Sequence, residues 1–219
     1  MVKPPWELTR EMFLSEREVE TLLRFLKRRV TLDSVDEREH AATDELIIQC
    51  LVFSGLRNSE FCRLRVSDTI AGGGESIFRV YGTPRQDRIV HVPDSVSSLV
   101  LDYVERIRPS ALPEGFDPSD DSQPLVVNER GRPYERTGLY RRVVRILNEA
   151  GFGERASVQL LRHTFGHLAY KRSGGNLLFL QRQLGHSHPI VTSVYAEFAD
   201  EDYGRLANIV GARTRHRSN

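Results

Sequence analysis

Hydrophobic and polar positions alternate along this chain in two distinct periods. From Glu16 to about Val30 the apolar residues Val19, Leu22, Leu23 and Leu26 recur at helical spacing. Ser15 and Glu18 stand three apart ahead of them, the spacing of a capping box. A second helix is predicted from Glu37 to about Phe53, with Leu46, Ile47, Cys50, Leu51 and Phe53 on a continuous apolar side and Gly55 as its stop. Asn58 or Ser59 then caps a short helix reaching Leu64, so Arg57 is set between two helices. The period changes after AGGG at 71–74, read as a turn. Ile77, Phe78, Val80 and Tyr81 predict a strand, and Ile89, Val90 and Val92 its antiparallel partner across GTPRQD. Pro93 and Asp94 introduce a helix to about Ile107, followed by a surface loop from Pro109 to Pro124. PLVVN reads as a short strand, NERG at 128–131 as a turn, and Glu135 to Ala150 as an arginine-rich helix stopped by Gly151.

The densest signals lie between Ser157 and Phe198. Ser157 caps a helix over 158–172, with Gly174 and Gly175 as the stop. Leu160, Leu161, Phe165, Leu168 and Ala169 give it an apolar side, and Gln159 and Arg162 share a face. Asn176 caps a second helix, Leu177 to Leu184, which Gly185 closes in a left-handed conformation. His186 is thereby presented at a helix end. Pro189 opens a third helix carrying Tyr195 among Val191, Val194 and Phe198. The pattern as a whole predicts an α+β fold, mainly helical, with a small antiparallel β-sheet.

Composition narrows the class. With 219 residues, 39% hydrophobic and 28% charged, the chain has the profile of an ordinary globular protein. It has no run of 18 apolar residues, so no membrane span is expected, and its first ten residues lack the apolar core of a signal peptide. Cys50 and Cys62 suggest no disulfide framework, which points to a reducing intracellular compartment. A formal net charge of +1 does not announce a nucleic-acid partner. The basic residues are nevertheless skewed: Lys3, Lys27 and Lys171 are the only lysines, and all others are arginines. Arginine offers a planar fork matched to phosphate but barely gives up a proton; the skew fits phosphate binding and a GC-rich genome equally.

Taken singly, each notable side chain has a bland explanation. Tyr195 on an amphipathic segment reads as a packing aromatic with its polar tip outward. Arg57 and Arg162 read as helix-end pairing residues, and His186 as a cap on helix carbonyls. His163 and His167 have the i, i+4 spacing of a zinc pair, which keeps a zinc-dependent hydrolase open as an alternative. Against it, Thr164 stands where such an enzyme places its glutamate, and His163 reads better as a hydrogen-bonding residue behind the site. Arg136, Arg141, Arg142 and Arg145 on one helix fit a solvated face or phosphate contacts.

Three motifs in order change that balance. Gly55, Leu56, Arg57, Ser59, Glu60 and Leu64 form the first; Leu161, Arg162, His163, Thr164 and Phe165 the second; Leu184, Gly185, His186 and Ser187, followed by Tyr195, the third. Together they resemble the catalytic domain of the tyrosine recombinases, the family of phage integrases and Xer-type recombinases, over roughly Phe13 to Ala207. The resemblance implies a site-specific DNA recombinase or integrase that cleaves and rejoins DNA through a 3′-phosphotyrosyl intermediate. Tyr195 would be the nucleophile, Arg57 and Arg162 a clamp on the nonbridging oxygens, and His186 a further hydrogen-bond donor. Double-stranded DNA is the expected partner, with a homotetramer assembled on it by exchange of segments such as Asp200 to Gly211. No metal and no cofactor are expected, and the location would be cytoplasmic, at the nucleoid. The whole chain, 1–219, is expected to be one catalytic domain with its core at about 13–207 and no N-terminal core-binding domain. Arg85, Arg88, Arg136, Arg141 and Arg142 are the expected DNA contacts.

Two positions depart from the family pattern. Where the family carries a hairpin lysine as general acid, this chain aligns Thr83, and it has no lysine between Lys27 and Lys171. Arg85 or Arg88 could supply charge there but not a proton. Gln159 stands where a histidine usually precedes the second arginine, and it can hydrogen-bond without transferring a proton. These departures keep open a DNA-binding relative with impaired or lost cleavage.

Overall fold

The computed structural model describes residues 6–31, 35–72, 75–82, 87–128 and 130–198. Helix α1, Glu16–Arg29, starts on the expected capping box: Ser15 Oγ accepts from Glu18 N, and Glu18 Oε2 accepts from Ser15 N at 2.7 Å. Acidic residues in its first turn and basic ones in its last complement the helix dipole. Val19, Leu22 and Leu26 turn inward against α2, Val35–Ser54. The second half of α2 is buried on every side, Leu46, Ile47, Ile48, Cys50, Leu51 and Val52 being almost wholly enclosed. Helix α3 is the short turn Asn58–Phe61, with Arg57 itself as the N-cap residue.

Three antiparallel strands follow in the order β1 (Thr69–Gly72), β2 (Glu75–Val80) and β3 (Arg88–His91). The sheet therefore has one strand more than the expected hairpin. Ala71 and Gly72, assigned by sequence to a turn, end β1 and pair with Ser76 and Glu75. The expected strand over PLVVN is not one: Leu125, Val126 and Val127 are buried, but their pairing is limited to isolated bridges at Arg65–Pro124 and Val127–Pro133. Burial without a ladder looks the same in a short apolar run.

Helix α4, Asp94–Asp102, widens into a π-helical turn at Tyr103–Ile107 and resumes as α5, Arg108–Ala111. Helix α6 spans Arg136–Glu149, and α7, Val158–Arg172, is capped by Ser157, whose Oγ accepts from Leu160 N at 3.0 Å. Asn176 Oδ1 caps α8, Leu177–Leu184, at Phe179 N, and Gly185 closes it with φ of 64°. Helix α9 is only Pro189–Ser193, and Tyr195 lies beyond it in a 3-10 turn, Val194–Phe198.

Helices α2 and α7 pack together through the centre, and the main core closes around them from α1, α4, α6 and the sheet. A second, smaller core joins Leu8 and Phe13 to Phe165, Tyr170, Leu180, Leu184, Val194 and Tyr195. It binds the segment before α1 to the segment after α9. Among the described residues no helix is long and apolar enough to cross a membrane.

Candidate active site

The three sequence motifs converge where α2 and α8 end and α7 begins. Gly55 is the pivot: its φ is +64°, and a Cβ there would meet Phe165 Cδ1 at 2.4 Å and Leu184 Cδ2 at 2.9 Å. Only glycine combines that backbone with that approach. The tight turn exposes the Gly55 carbonyl to Arg162, which reaches it from α7 with Nη1 and gives Nη2 to Leu184 O at 2.7 Å. The same Nη2 lies 3.2 Å from His186 Nε2. A guanidinium only donates, so His186 Nε2 accepts, and the neutral ring carries its proton on Nδ1 toward Thr192 Oγ1, 3.0 Å away. Thr192 thus orients His186, a role the motif pattern did not reveal.

Arg162 is 5% exposed, and its hydrogen bonds go to two carbonyls and an imidazole rather than to a carboxylate. Burial, with Arg57 beside it, pushes its pKa down to about 10. Burial followed by Arg162, Arg57 and Arg88 pushes His186 down to about 4. Such a site is short of negative charge and suited to an oxyanion.

Arg57 stands beside it, 40% exposed at the side chain, with Nη1 on Glu60 Oε1 at 2.8 Å and Nη2 on Gly185 O at 3.1 Å. Glu60 also takes both terminal nitrogens of Arg88, at 2.7 and 2.9 Å. Burial would raise the Glu60 carboxyl, but Arg88, the Arg57 amide and the two guanidinium charges outweigh it and leave the pKa at about 2. Arg88 gives its Nε to Gln183 O, and its side chain is 10% exposed. Arg88, one of the expected DNA contacts, is folded inward here and buttresses Arg57 through Glu60.

Tyr195 is 1% exposed, with Oη 3.0 Å from His163 Nδ1, and Gln159 Nε2 lies 3.1 Å from His163 Nε2. Burial drives Tyr195 up to about 12 and, with Arg162, drives His163 down to about 4. Trp6 covers the pair, its ring 4.9 Å from that of His163 and 6.1 Å from that of Tyr195. Beneath, Gly166 leaves the space that the tyrosine ring fills. Neither Trp6 nor Gly166 belongs to a motif; a glycine inside an apolar helix was the one signal available. With both ring nitrogens of His163 taken and His167 stacked on Phe13 at 4.3 Å, the paired-histidine zinc reading has no geometry behind it.

Arg57, Arg162, His186, His163, Gln159 and Tyr195 line one cleft of about 450 Å³, with Arg136 on its rim. A neighbouring cleft carries Arg141 together with Arg130 and Arg132. Arg142 is elsewhere: its Nε is 2.6 Å from Asp44 Oδ1, its Nη1 reaches Tyr134 Oη at 2.6 Å, and only 13% of it is exposed. It thereby ties α6 to α2. Arg85 and Thr83 lie outside the described residues.

A mainly helical domain thus gathers two arginines, a histidine and a buried tyrosine around one cleft, an arrangement able to hold a phosphate. Residues 12–202 match the model of the phage integrase family, and the chain belongs to that family. It is 27% identical over 196 residues to the tyrosine recombinase XerH of Campylobacter jejuni, covering 89% of this chain and 50% of that protein. It is 31% identical over 208 residues to XerC of Halalkalibacterium halodurans, covering 93% and 62%. The pre-cleavage complex of XerH bound to its difH substrate superposes with a TM-score of 0.72 at 25% identity, over 95% of this chain and 56% of that one. The chain thus spans between half and two thirds of the length of these curated relatives.

Proposed function

We propose that this chain is the catalytic part of a site-specific DNA recombinase that cuts and rejoins double-stranded DNA through Tyr195. The observation that carries the reading is the convergence of Arg57, Arg162, His186 and Tyr195 on one cleft. Tyr195 Oη attacks the scissile phosphorus and the bond to the 5′ oxygen breaks, leaving a 3′-phosphotyrosyl link and a protonated 5′ hydroxyl. Arg57 and Arg162 hold the nonbridging oxygens, where preformed positive charge counts most. Arg162 is fixed in place by its bonds to the Gly55 and Leu184 carbonyls, and its remaining N–H groups are left for the phosphate. His186, oriented by Thr192, stands beside the same oxygens. The link conserves the bond energy, so a second 5′ hydroxyl can reverse the step.

Arg136 on the rim and Arg141 with Arg130 and Arg132 next to it supply the phosphate contacts that position the duplex. The assembled form is a homotetramer on two sites, acting in the cytoplasm. The convergence of Arg57, Arg162, His186 and Tyr195 on one cleft supports cleavage over the binding-only alternative that the missing hairpin lysine raised.

Covalent capture on a pool of nicked suicide duplexes tests the reading. Wild type should form an adduct that Tyr195→Phe does not. A 5′-bridging phosphorothiolate, whose sulfur leaves without an acid, tests the missing lysine directly. Adducts on that substrate alone would mean intact attack with a missing acid; DNA binding with capture on neither would overturn the proposal.

A further inference from the structure

We propose that Gln159 and His163 form a relay that presents the nucleophile: the Gln159 amide donates to His163 Nε2, and the ring proton, thereby held on Nδ1, donates to Tyr195 Oη. The inference rests on Tyr195 being the attacking residue.

The direction follows from what each atom can do. Gln159 faces the ring with Nε2, at 3.1 Å, and an amide nitrogen only donates. His163 Nε2 must therefore be the bare nitrogen. Because burial, then Arg162, hold His163 near a pKa of about 4, the ring is neutral at working pH and carries one proton, which stands on Nδ1. Nδ1 is 3.0 Å from Tyr195 Oη, so the phenol oxygen receives a hydrogen bond.

The surroundings hold the relay in place. His163 is 7% exposed and Tyr195 1%. Trp6 lies over the imidazole with ring centres 4.9 Å apart, and Gly166 accommodates the tyrosine ring so closely that a Cβ would lie 2.3 Å from Cε1 and Cζ. Packing and these hydrogen bonds together hold both rings in place.

A donor on Oη does not remove the phenolic proton; it stabilises the negative charge that grows as the proton leaves. In the attack, that proton passes to water in the cleft, the Oη–P bond forms, the P–O5′ bond breaks, and the departing oxygen takes a proton from water. Gln159 acquires a purpose by the same logic. A histidine at this position would titrate and could either donate or accept, whereas a carboxamide nitrogen donates at every pH. With Nε2 turned to the ring, Gln159 sets the tautomer of its neighbour four residues along the helix.

The relay can be read without any DNA cleavage. In the full chain labelled with ¹⁵N-histidine, long-range proton–nitrogen correlation should show His163 protonated on Nδ1, its signal assigned by loss in His163→Asn. Gln159→Glu should invert the pattern, because a carboxylate accepts from Nε2–H. A wild-type ring protonated on Nε2 would overturn the proposal. Single-turnover capture on the suicide duplex then tests its use. His163→Leu should slow adduct formation about tenfold, the value of one hydrogen bond to the reacting oxygen, at unchanged DNA affinity. His163→Asn, whose amide N–H stands near the place of Nδ1–H, should recover the rate to within about threefold of wild type. Equal loss in Asn and Leu would count against the donor role. Absence of adduct from folded, DNA-bound wild type would instead remove the nucleophile assignment, leaving the hydrogen-bond chain to be decided by the spectrum.

Discussion

Gly166 and Tyr195 share one volume: a methyl group on Gly166 would lie 2.3 Å from two ring carbons of Tyr195 and 2.8 Å from its hydroxyl. Gly166 sits in the interior of α7, where glycine is about 1 kcal/mol worse than alanine. Gly166→Ala should nevertheless lose stability, by about 1–2 kcal/mol, because overpacking costs more than propensity returns. It should also expel the ring, so that Tyr195 becomes open to nitration, as read by mass spectrometry. A variant more stable than wild type with Tyr195 still protected would refute this account.

The two buried histidines make the fold acid-sensitive. Both fall from 6.5 to about 4, so the unfolded chain takes up protons at a pH where the folded one does not. Their contribution is complete above about pH 6.5 and is lost as pH falls toward 4, on the order of 3 kcal/mol for the enclosed His163 and less for His186, which solvent partly screens. Urea midpoints measured across that window should drop for wild type and drop less for His186→Gln. Parallel curves for the two proteins would contradict the assignment.

Glu60 operates in a lower window. Its folded pKa of about 2 against an ordinary 4.5 means stability present above pH 4.5 and lost on acidification through 2. Glu60→Gln should flatten that part of the curve. At neutral pH the same change leaves Arg88 and Arg57 without their carboxylate, and a loss of about 3 kcal/mol is expected. Chemical denaturation at pH 7 measures it. Because Glu60 also steers Arg57, the rate of covalent capture should fall with it.

Arginines on one helix should separate by experiment. Arg136→Ala and Arg141→Ala should each reduce the slope of log affinity against log salt by about 0.9 while leaving the melting temperature alone. Arg142→Ala should do the reverse. It leaves Asp44, wholly buried and also held by Arg29 at 2.8 Å and Arg145 at 3.1 Å, short of a partner. A cost of about 3 kcal/mol in stability, with the salt slope intact, is the expected signature.

What was legible in the chain was whatever is decided within a few residues. The Ser15–Glu18 box, the Ser157 and Asn176 caps and the left-handed Gly185 are all satisfied by neighbours three or four positions away. Such signals depend on backbone geometry that a helix end imposes wherever it occurs. The order of three motifs carried the family as well, since each is a compact unit. The first strand, hidden in AGGG, and the unpaired PLVVN were not legible, because strand pairing is made with residues elsewhere.

By itself, then, the sequence determined the longer helices and the caps at Ser15, Ser157 and Asn176, and it singled out Arg57, Arg162, His186 and Tyr195 as a group. Only the tertiary structure decided which charges are free. Arg88 and Arg142 look like Arg136 and Arg141 in sequence, yet their partners Glu60 and Asp44 are 28 and 98 positions away. It also decided that Tyr195 Oη meets His163 Nδ1, 32 positions earlier, rather than solvent. A buried charge or phenol takes its state from whatever the fold packs beside it, and that packing is fixed by long-range burial, which no local spacing encodes.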